Sequence, residues 1–374
     1  MLLSGIFPPI TTPFYPDGKV YYKKLEANVE RYSRTPVAGI VVLGSTGEAI
    51  LLSDQERRDV LKTALAAAAP SKVMIAGTGI ESANETLRLT EYAAELGYDA
   101  AMVRTPHYYK KQMLPANLLA FYRTVADRSA LPIVIYNFPQ ATGYDIPAEV
   151  VIELADHPNI AAIKESSGNL DKVKAMVEGT RNINVKRQAT VTETFEAVTP
   201  RMQAAATESA KESRELVSVA SLAGSAESIE RRASSPVPAD SATKPSSSAV
   251  TVVGKLKTRQ KEVGFQVMVG AAHQLEPSLG LGAVGAILAL ACPAPTACYE
   301  IYAALKDGDN ALAREKQERV KLAAQRVVGE LGVPGVKYAM DLNGYYGGPA
   351  RLPFLPLTAD LKSEIEKLMA GIKS

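Results

Sequence analysis

Ile160-Ala161-Ala162-Ile163-Lys164-Glu165-Ser166-Ser167-Gly168 places four apolar residues directly before a lysine and a polar turn. A short apolar run bounded in this way reads as a buried strand. A lysine at its end loses hydration, which lowers the ammonium pKa and frees the amine as a nucleophile toward a carbonyl. A strand-end lysine is also an ordinary salt-bridge or solvated partner, so this segment needs company before it means chemistry. Two further strand ends supply it. The run 132–138 delivers Tyr136 and Asn137, and the run 39–43 leads into Gly44-Ser45-Thr46-Gly47-Glu48. Three polar clusters at the same end of three strands make a site.

Outward from this core, apolar runs recur at 5–10, 39–43, 73–76, 100–103, 133–136, 160–163, 266–269 and 283–290, with amphipathic helical stretches between them. The helices carry their own boundary signals. Ser53-Asp54-Gln55-Glu56 is a capping box that opens a helix running to about Ala69, and Gly97 closes another. The strands are continuous apolar runs rather than alternating ones, as a parallel sheet covered by helices requires, and eight such βα units predict a closed TIM (β/α)8 barrel. Further helical stretches at 295–306, 310–331 and 358–372 predict a C-terminal helical extension. The expected division is barrel strands 1–6 in residues 1–181, an insertion at 182–264, strands 7 and 8 in 265–293, and C-terminal helices in 294–374.

The insertion breaks the rhythm. It is rich in Ala, Ser, Thr, Glu and Lys and contains Ser234-Ser235-Pro236-Val237-Pro238 and Pro245-Ser246-Ser247-Ser248. Such low-complexity composition has too few large apolar residues for a core of its own; 193–222 can form a helix or two, and the remainder is expected to be mobile. It falls between the sixth helix and the seventh strand, on the αβ side of the barrel, whereas catalytic groups of such barrels lie on the opposite face. That position favours a tolerated appendage over a substrate lid, with partner docking or an artefact of the gene's translation as alternatives.

The chain has 374 residues, 47% of them hydrophobic, with 42 Lys and Arg against 40 Asp and Glu. This describes a neutral, globular protein with a large core, and no basic or acidic block marks it for nucleic acid or anionic lipid. The first strand begins almost at Met1, leaving no room for a signal peptide, so a cytoplasmic location is expected. Cys292 and Cys298 are the two cysteines, which excludes a disulfide framework and suits a reducing compartment. The histidines, His107, His157 and His273, are scattered and indicate no metal site.

With Gly44 to Glu48, Tyr136-Asn137-Phe138-Pro139 and Lys164-Glu165-Ser166 in barrel order, the chain resembles the dihydrodipicolinate synthase and N-acetylneuraminate lyase family of Schiff-base aldolases. The likeness covers nearly everything except the insertion. Within that family it is most similar to the 4-hydroxy-2-oxoglutarate aldolase branch, through Ala76-Gly77-Thr78-Gly79, Asp99-Ala100-Ala101-Met102-Val103, Thr105-Pro106-His107-Tyr108-Tyr109 and Gly344-Tyr345-Tyr346-Gly347-Gly348-Pro349. The resemblance implies that Lys164 condenses with the ketone of pyruvate, or of a 2-oxo acid that releases it, without a cofactor. Tyr136 would shuttle protons, helped by Ser45 and by Tyr108 reaching in from a neighbouring subunit of a homotetramer built as a dimer of dimers. A phenol suits this, because it gives and takes a proton while neutral at rest. Thr46 and the backbone N–H groups of the Gly47 turn would hold the substrate carboxylate; the bare alternative for Ser45, Thr46 and Gly47 is an ordinary strand-to-helix turn. Ser166 joins the substrate-binding set, and Gly270 and Ile287 line the pocket through backbone. Glu48 is assigned to stabilising the turn or the start of the following helix rather than to acid–base work, His107 to local hydrogen bonding, and Tyr108 and Tyr109 stay open between core, interface and relay.

One departure bears on substrate. Lysine-pathway synthases of this family carry an arginine two residues after the proline of the tyrosine turn, where Pro139-Gln140-Ala141 has alanine. Without that bidentate donor, aspartate semialdehyde is disfavoured, unless Arg104 or Arg351 reaches the pocket; Arg351 is better placed to tie down the C-terminal helices. The expected activity is therefore a lyase cleaving or forming a 4-hydroxy-2-oxo acid, such as 4-hydroxy-2-oxoglutarate or a 2-keto-3-deoxy sugar acid, from pyruvate and an aldehyde. The alternatives are 4-hydroxy-tetrahydrodipicolinate synthesis and a catalytically silent barrel that uses its insertion to bind a partner.

Overall fold

A computed structural model of the chain describes residues 1–194, 196–221, 251–253 and 256–372. The barrel strands are β1 (Gly5–Phe7), β2 (Gly39–Val42), β3 (Val73–Gly77), β4 (Ala100–Arg104), β5 (Ile133–Asn137) and β6 (Ile160–Glu165). Three strands follow in the inserted segment, β7 (Arg187–Thr192), β8 (Thr251–Val253) and β9 (Leu256–Val263), before β10 (Gln266–Val269) and β11 (Gly285–Ile287) return to the barrel. The eight-stranded sheet runs β1-β11-β10-β6-β5-β4-β3-β2, with every pair parallel. Hydrogen bonds from Ala38 N–H to Ile6 O and from Val41 N–H to Pro8 O close β2 onto β1, so the predicted TIM barrel forms. The first strand is shorter than the apolar run 5–10 because Pro8 and Pro9 bring no N–H to a ladder.

Both faces of each strand are buried, which is why the runs show no alternation. Phe7, Val41, Ile75, Met102, Val134, Ala162, Met268 and Ile287 fill the barrel interior. Their neighbours Ile6, Ile40, Met74, Val103, Ile135, Ile163 and Val267 pack outward under the helices. Gly39 is required inside: a Cβ there would stand 2.2 Å from Val73 O and 2.5 Å from the Phe7 ring. The helix Asp54–Ala67 starts at Ser53 with the reciprocal bonds of a capping box, Glu56 N–H to Ser53 Oγ and Ser53 N–H to Glu56 Oε2. Gly97, at φ +98°, ends Ala83–Leu96.

The C-terminal extension is present but differs in detail. Pro295–Lys306 and Ala359–Met369 match expectation, whereas Asn310–Ala323 passes into a π-helical stretch, Ala324–Glu330, and a further helix forms at Gly332–Leu342. Gly332, Pro334 and Gly335 hid that helix from a propensity reading. Gly335 allows close packing, since a Cβ there would lie 2.5 Å from Val327 O.

The two ends of the inserted segment meet as antiparallel strands. β7 pairs with β9 from Arg187↔Val263 to Thr192↔Thr258, and β8 pairs along the other edge of β9. This sheet sits at the end of the barrel where the strands begin, burying Ala189, Val191 and Val263 with Leu2. Its apolar cluster borrows Leu2, in keeping with a segment that cannot build a core alone. Pro200–Ser221 is a helix within the stretch expected to be helical. The Ser- and Pro-rich runs at 234–238 and 245–248, expected to be mobile, lie outside the described residues.

Candidate active site

Strand register builds the site. Arg104 is opposite Tyr136 across β4 and β5, and Tyr136 is opposite Lys164 across β5 and β6, so three side chains from neighbouring strands share one row at the C-terminal end of the barrel. Lys164 is 5% exposed, and its Nζ lies 4.1 Å from the centroid of the Tyr136 ring. Burial lowers its pKa from 10.5 to about 7, opposed only weakly by Cys292. Burial alone has therefore produced an amine that is substantially neutral near neutral pH.

The Tyr136 hydroxyl is 3.2 Å from Ser45 Oγ. Burial pushes the phenol up to about 12, partly offset by the Ser45 hydrogen bond and the Arg104 charge, so the phenol keeps its proton at rest. Ser45 opens a single 3-10 turn, Ser45–Gly47, straight after β2. The turn is flanked by two non-glycine residues in the left-handed region, Leu43 at φ 63° and Glu48 at φ 54°. Such residues cost about 1–3 kcal/mol each and persist only where surrounding structure holds them.

What holds this turn is a buried ion pair that the sequence reading missed. Lys337, on the unanticipated helix Gly332–Leu342, brings Nζ within 2.6 Å of Glu48 Oε1 and donates hydrogen bonds to Thr12 O (2.9 Å) and Pro349 O (2.8 Å). Two of the three ammonium protons go to those carbonyls, which leaves the third facing Glu48. Burial pushes the Lys337 pKa down, with Glu48 opposing. Glu48 Oε2 also accepts the Arg351 N–H at 2.7 Å, and the Thr12 hydroxyl donates to Gly47 O at 2.7 Å. Glu48 thus fastens the turn to the C-terminal helices, as its assignment to the turn anticipated. The only signal in the sequence was a single lysine inside the apolar Gly335-Val336-Lys337-Tyr338-Ala339-Met340. Arg351 ties together Gly18 O, Leu51 O and the Glu56 carboxylate, away from the cavity.

Lys164, Tyr136, Ser45, Glu48 and Arg104 line a cavity of about 520 Å³ together with Thr46, Ser166, Gly270, Ile287, Ala141 and His107. Ser166 Oγ is buried without a hydrogen-bond partner. Gly270 leaves room for it, because a Cβ at Gly270 would be 2.0 Å from that oxygen and 3.2 Å from Lys164 Cε. Val328 and Gly329 of the π-helical stretch, with Val333 and Val336 after it, supply an apolar wall. Gly47 is buried in the turn but does not line the cavity, and Tyr108, 76% exposed and edge-on to Tyr109 at 5.1 Å, stands outside it. Asn137 faces away from Tyr136: its amide bonds the buried Glu165 carboxylate and Asp145, and Glu165 accepts the Ser167 N–H at 2.7 Å. That outer layer fixes the end of β6 behind the lysine. Among the described residues no group of three or more His, Cys, Asp or Glu side chains is arranged to hold a metal, and no helix is long and apolar enough to cross a membrane.

The arrangement is a buried amine of lowered pKa beside a protonated phenol that is hydrogen-bonded to a serine hydroxyl. The sequence pattern of the dihydrodipicolinate synthetase family matches residues 2–186 and 235–372. The 4-hydroxy-tetrahydrodipicolinate synthase of Methanothrix thermoacetophila is 27% identical over 368 residues, 98% of this chain and 96% of that protein. The Methanosarcina barkeri enzyme of the same name is 40% identical over 180 residues, 48% of this chain and 60% of its own length. Among solved structures, the chloride-inhibited dihydrodipicolinate synthase of Acinetobacter baumannii, complexed with pyruvate, superposes with a TM-score of 0.74 at 25% identity, covering 99% of this chain and 100% of that one.

Proposed function

Since the chain belongs to the dihydrodipicolinate synthetase family, we propose that this lyase is a pyruvate-dependent aldolase whose imine forms on Lys164. The observation that carries the reading is the buried Lys164 amine, its pKa lowered to about 7, lying 4.1 Å from the ring of a phenol that is itself hydrogen-bonded to Ser45. In this mechanism the neutral Nζ attacks the ketone carbon of pyruvate, and Tyr136, relayed by Ser45, gives the proton that lets water leave the carbinolamine. The resulting iminium accepts the electron pair freed when the C3 proton is removed, or when the C3–C4 bond of a 4-hydroxy-2-oxo acid breaks. The N–H groups of Ser45 and Thr46 begin a helical turn and so lack partners within it, which suits them to the pyruvate carboxylate, with the Thr46 hydroxyl beside them. Borohydride trapping with pyruvate tests the reading: a reduced pyruvyl adduct on Lys164 supports it, and its absence in the folded protein refutes it.

The second substrate divides two readings. The curated relatives are named 4-hydroxy-tetrahydrodipicolinate synthases, which favours condensation with aspartate semialdehyde over the 4-hydroxy-2-oxoglutarate cleavage preferred on the sequence motifs. One observation keeps the cleavage reading: Ala141 lines the cavity and offers no donor where that synthase pattern has arginine. Comparing pyruvate release from 4-hydroxy-2-oxoglutarate and 2-keto-3-deoxy sugar acids with aspartate semialdehyde condensation separates them. Exposed Tyr108 would complete the relay of a neighbour in a homotetramer; specific activity that falls as the assembly dissociates on dilution supports this, and a fully active folded monomer removes it.

A further inference from the structure

Among the described residues Arg104 makes no hydrogen bond to Lys164 or Tyr136, yet the fold aims it at the cavity. Along β4, Ala100 and Met102 point into the barrel, so Arg104 is the next inward-facing residue. The register Arg104↔Tyr136↔Lys164 places it two strands from the nucleophile, roughly 10 Å at ordinary strand spacing. That span separates the imine from the far end of a small aldehyde partner.

The guanidinium is only partly engaged. Its Nη1 lies 3.3 Å from Glu81 Oε1 and 2.7 Å from His107 Nδ1, and among the described residues Nε and Nη2 have no partner. Only 18% of its side chain is exposed. The surrounding charges favour an incoming anion. Burial and the Arg104 charge hold His107 below its ordinary pKa, so it is largely neutral near neutral pH. Glu48 is compensated by Lys337. Arg57, on the helix Asp54–Ala67, lines the same side recess as Arg104 beside Ser45 and Tyr136. Arg57 is itself offset by Asp54 and Glu56 and donates to Ala49 O, while Arg104 faces Glu81, whose ionised form is held, against the cost of burial, by the N–H groups of Tyr108 and His107.

We propose that Arg104 determines specificity by receiving a carboxylate carried by the aldehyde partner, taking over from β4 the task that Ala141 cannot perform. Paired unengaged guanidinium nitrogens on a partly dry wall match the two oxygens of a carboxylate. The proposal rests on the Schiff-base reading and narrows its second substrate to carboxylated aldehydes.

The test compares the parent with Arg104→Met and Arg104→Lys, using pyruvate with glyoxylate or aspartate semialdehyde against pyruvate with glycolaldehyde or butanal. Arg104→Met is expected to lower the ratio of kcat/KM for carboxylated over neutral aldehydes by roughly 10–10²-fold, mainly through KM, with Arg104→Lys in between. Borohydride trapping of pyruvate stays at the parental level in both, which shows that the barrel and Lys164 are intact. An unchanged ratio overturns the proposal, whether activity is preserved or lost equally on both classes. Failure of the parent itself to trap pyruvate refutes the Schiff-base reading instead, and with it any role for Arg104 in a second half-reaction.

Discussion

The two ends of the barrel are finished in opposite ways. Where the strands begin, side chains tie down backbone carbonyls: Arg187 donates to the carbonyls of His157 and Pro158 ahead of β6, Thr199 to Pro70 O and Arg201 to Lys72 O ahead of β3, although Arg187 Nη1 and Arg201 Nε are left without partners. The inserted sheet closes over this end with Leu2, Ala189, Val191 and Val263. Where the strands finish, the chain keeps a buried amine outside any ion pair, a buried hydroxyl without a partner at Ser166, and two non-glycine residues at positive φ. The same eight strands thus carry a stabilising end and a reactive end. A desolvated amine and strained backbone cost stability, and both lie where a substrate can make use of them.

The sharpest way to break this contrast is at Lys164. Lys164→Ala should lower kcat by at least about 10²-fold, to no measurable turnover, rather than raise KM, because the bond-breaking step passes through the imine. Residual activity above that level in a steady-state assay counts against the covalent mechanism. Tyr136→Phe is expected to reduce kcat by roughly 10²–10⁴-fold while pyruvate still traps on Lys164, as befits a proton shuttle; unchanged kcat would reassign the ring to packing.

The Glu48–Lys337 pair links reactivity to stability. Breaking it with Lys337→Met leaves a buried carboxylate alone and should cost about 3–5 kcal/mol, read as a fall in Tm together with weaker activity from a loosened Ser45 turn. Adding Glu48→Gln should return part of the stability, since the unpaired charge is then removed. If the double variant is no more stable than the single, the pair is not the clamp described above.

The Lys164 pKa also carries a sign. Its folded value, about 7, lies below the ordinary 10.5, so burying the charged form costs stability in full below pH 7, and the cost fades as pH rises toward 10.5. Lys164→Met should therefore raise Tm most at acid pH, with the gain shrinking between pH 7 and pH 10. Trapping with pyruvate should speed up through about pH 7, as the neutral amine becomes abundant. A pH-independent Tm difference would remove burial as the source of the amine's reactivity.

The smallest effect is expected at the other end. Joining β7 to β9 by replacing residues 194–256 with Asn-Gly, a turn suited to an antiparallel pair, should leave kcat/KM within roughly twofold of the parent, since sites so far apart act independently. The family pattern skips residues 187–234, which points the same way. A large loss of activity would tie the insertion to the site after all, and Arg187→Ala provides the milder probe, lowering Tm without touching turnover.

Much of this was readable from local sequence. Apolar runs flanked by capping signals such as Ser53 and Gly97 specify the barrel because burial on both faces and helix ends are local problems. Lys164 and Tyr136 were legible for the same reason, as polar residues abruptly ending apolar strands. Tertiary structure alone decided three things. It closed the β7 and β9 pair, whose strands are separated by more than sixty residues of chain with no turn between them to announce it. It stabilised Gly332–Leu342, where packing against Val327 overrides Gly and Pro. And it paired Glu48 with Lys337 from opposite ends of the sequence. A charge reveals its chemical type in the sequence, but its partner and its hydration, which set what it can do, exist only once distant segments have packed around it.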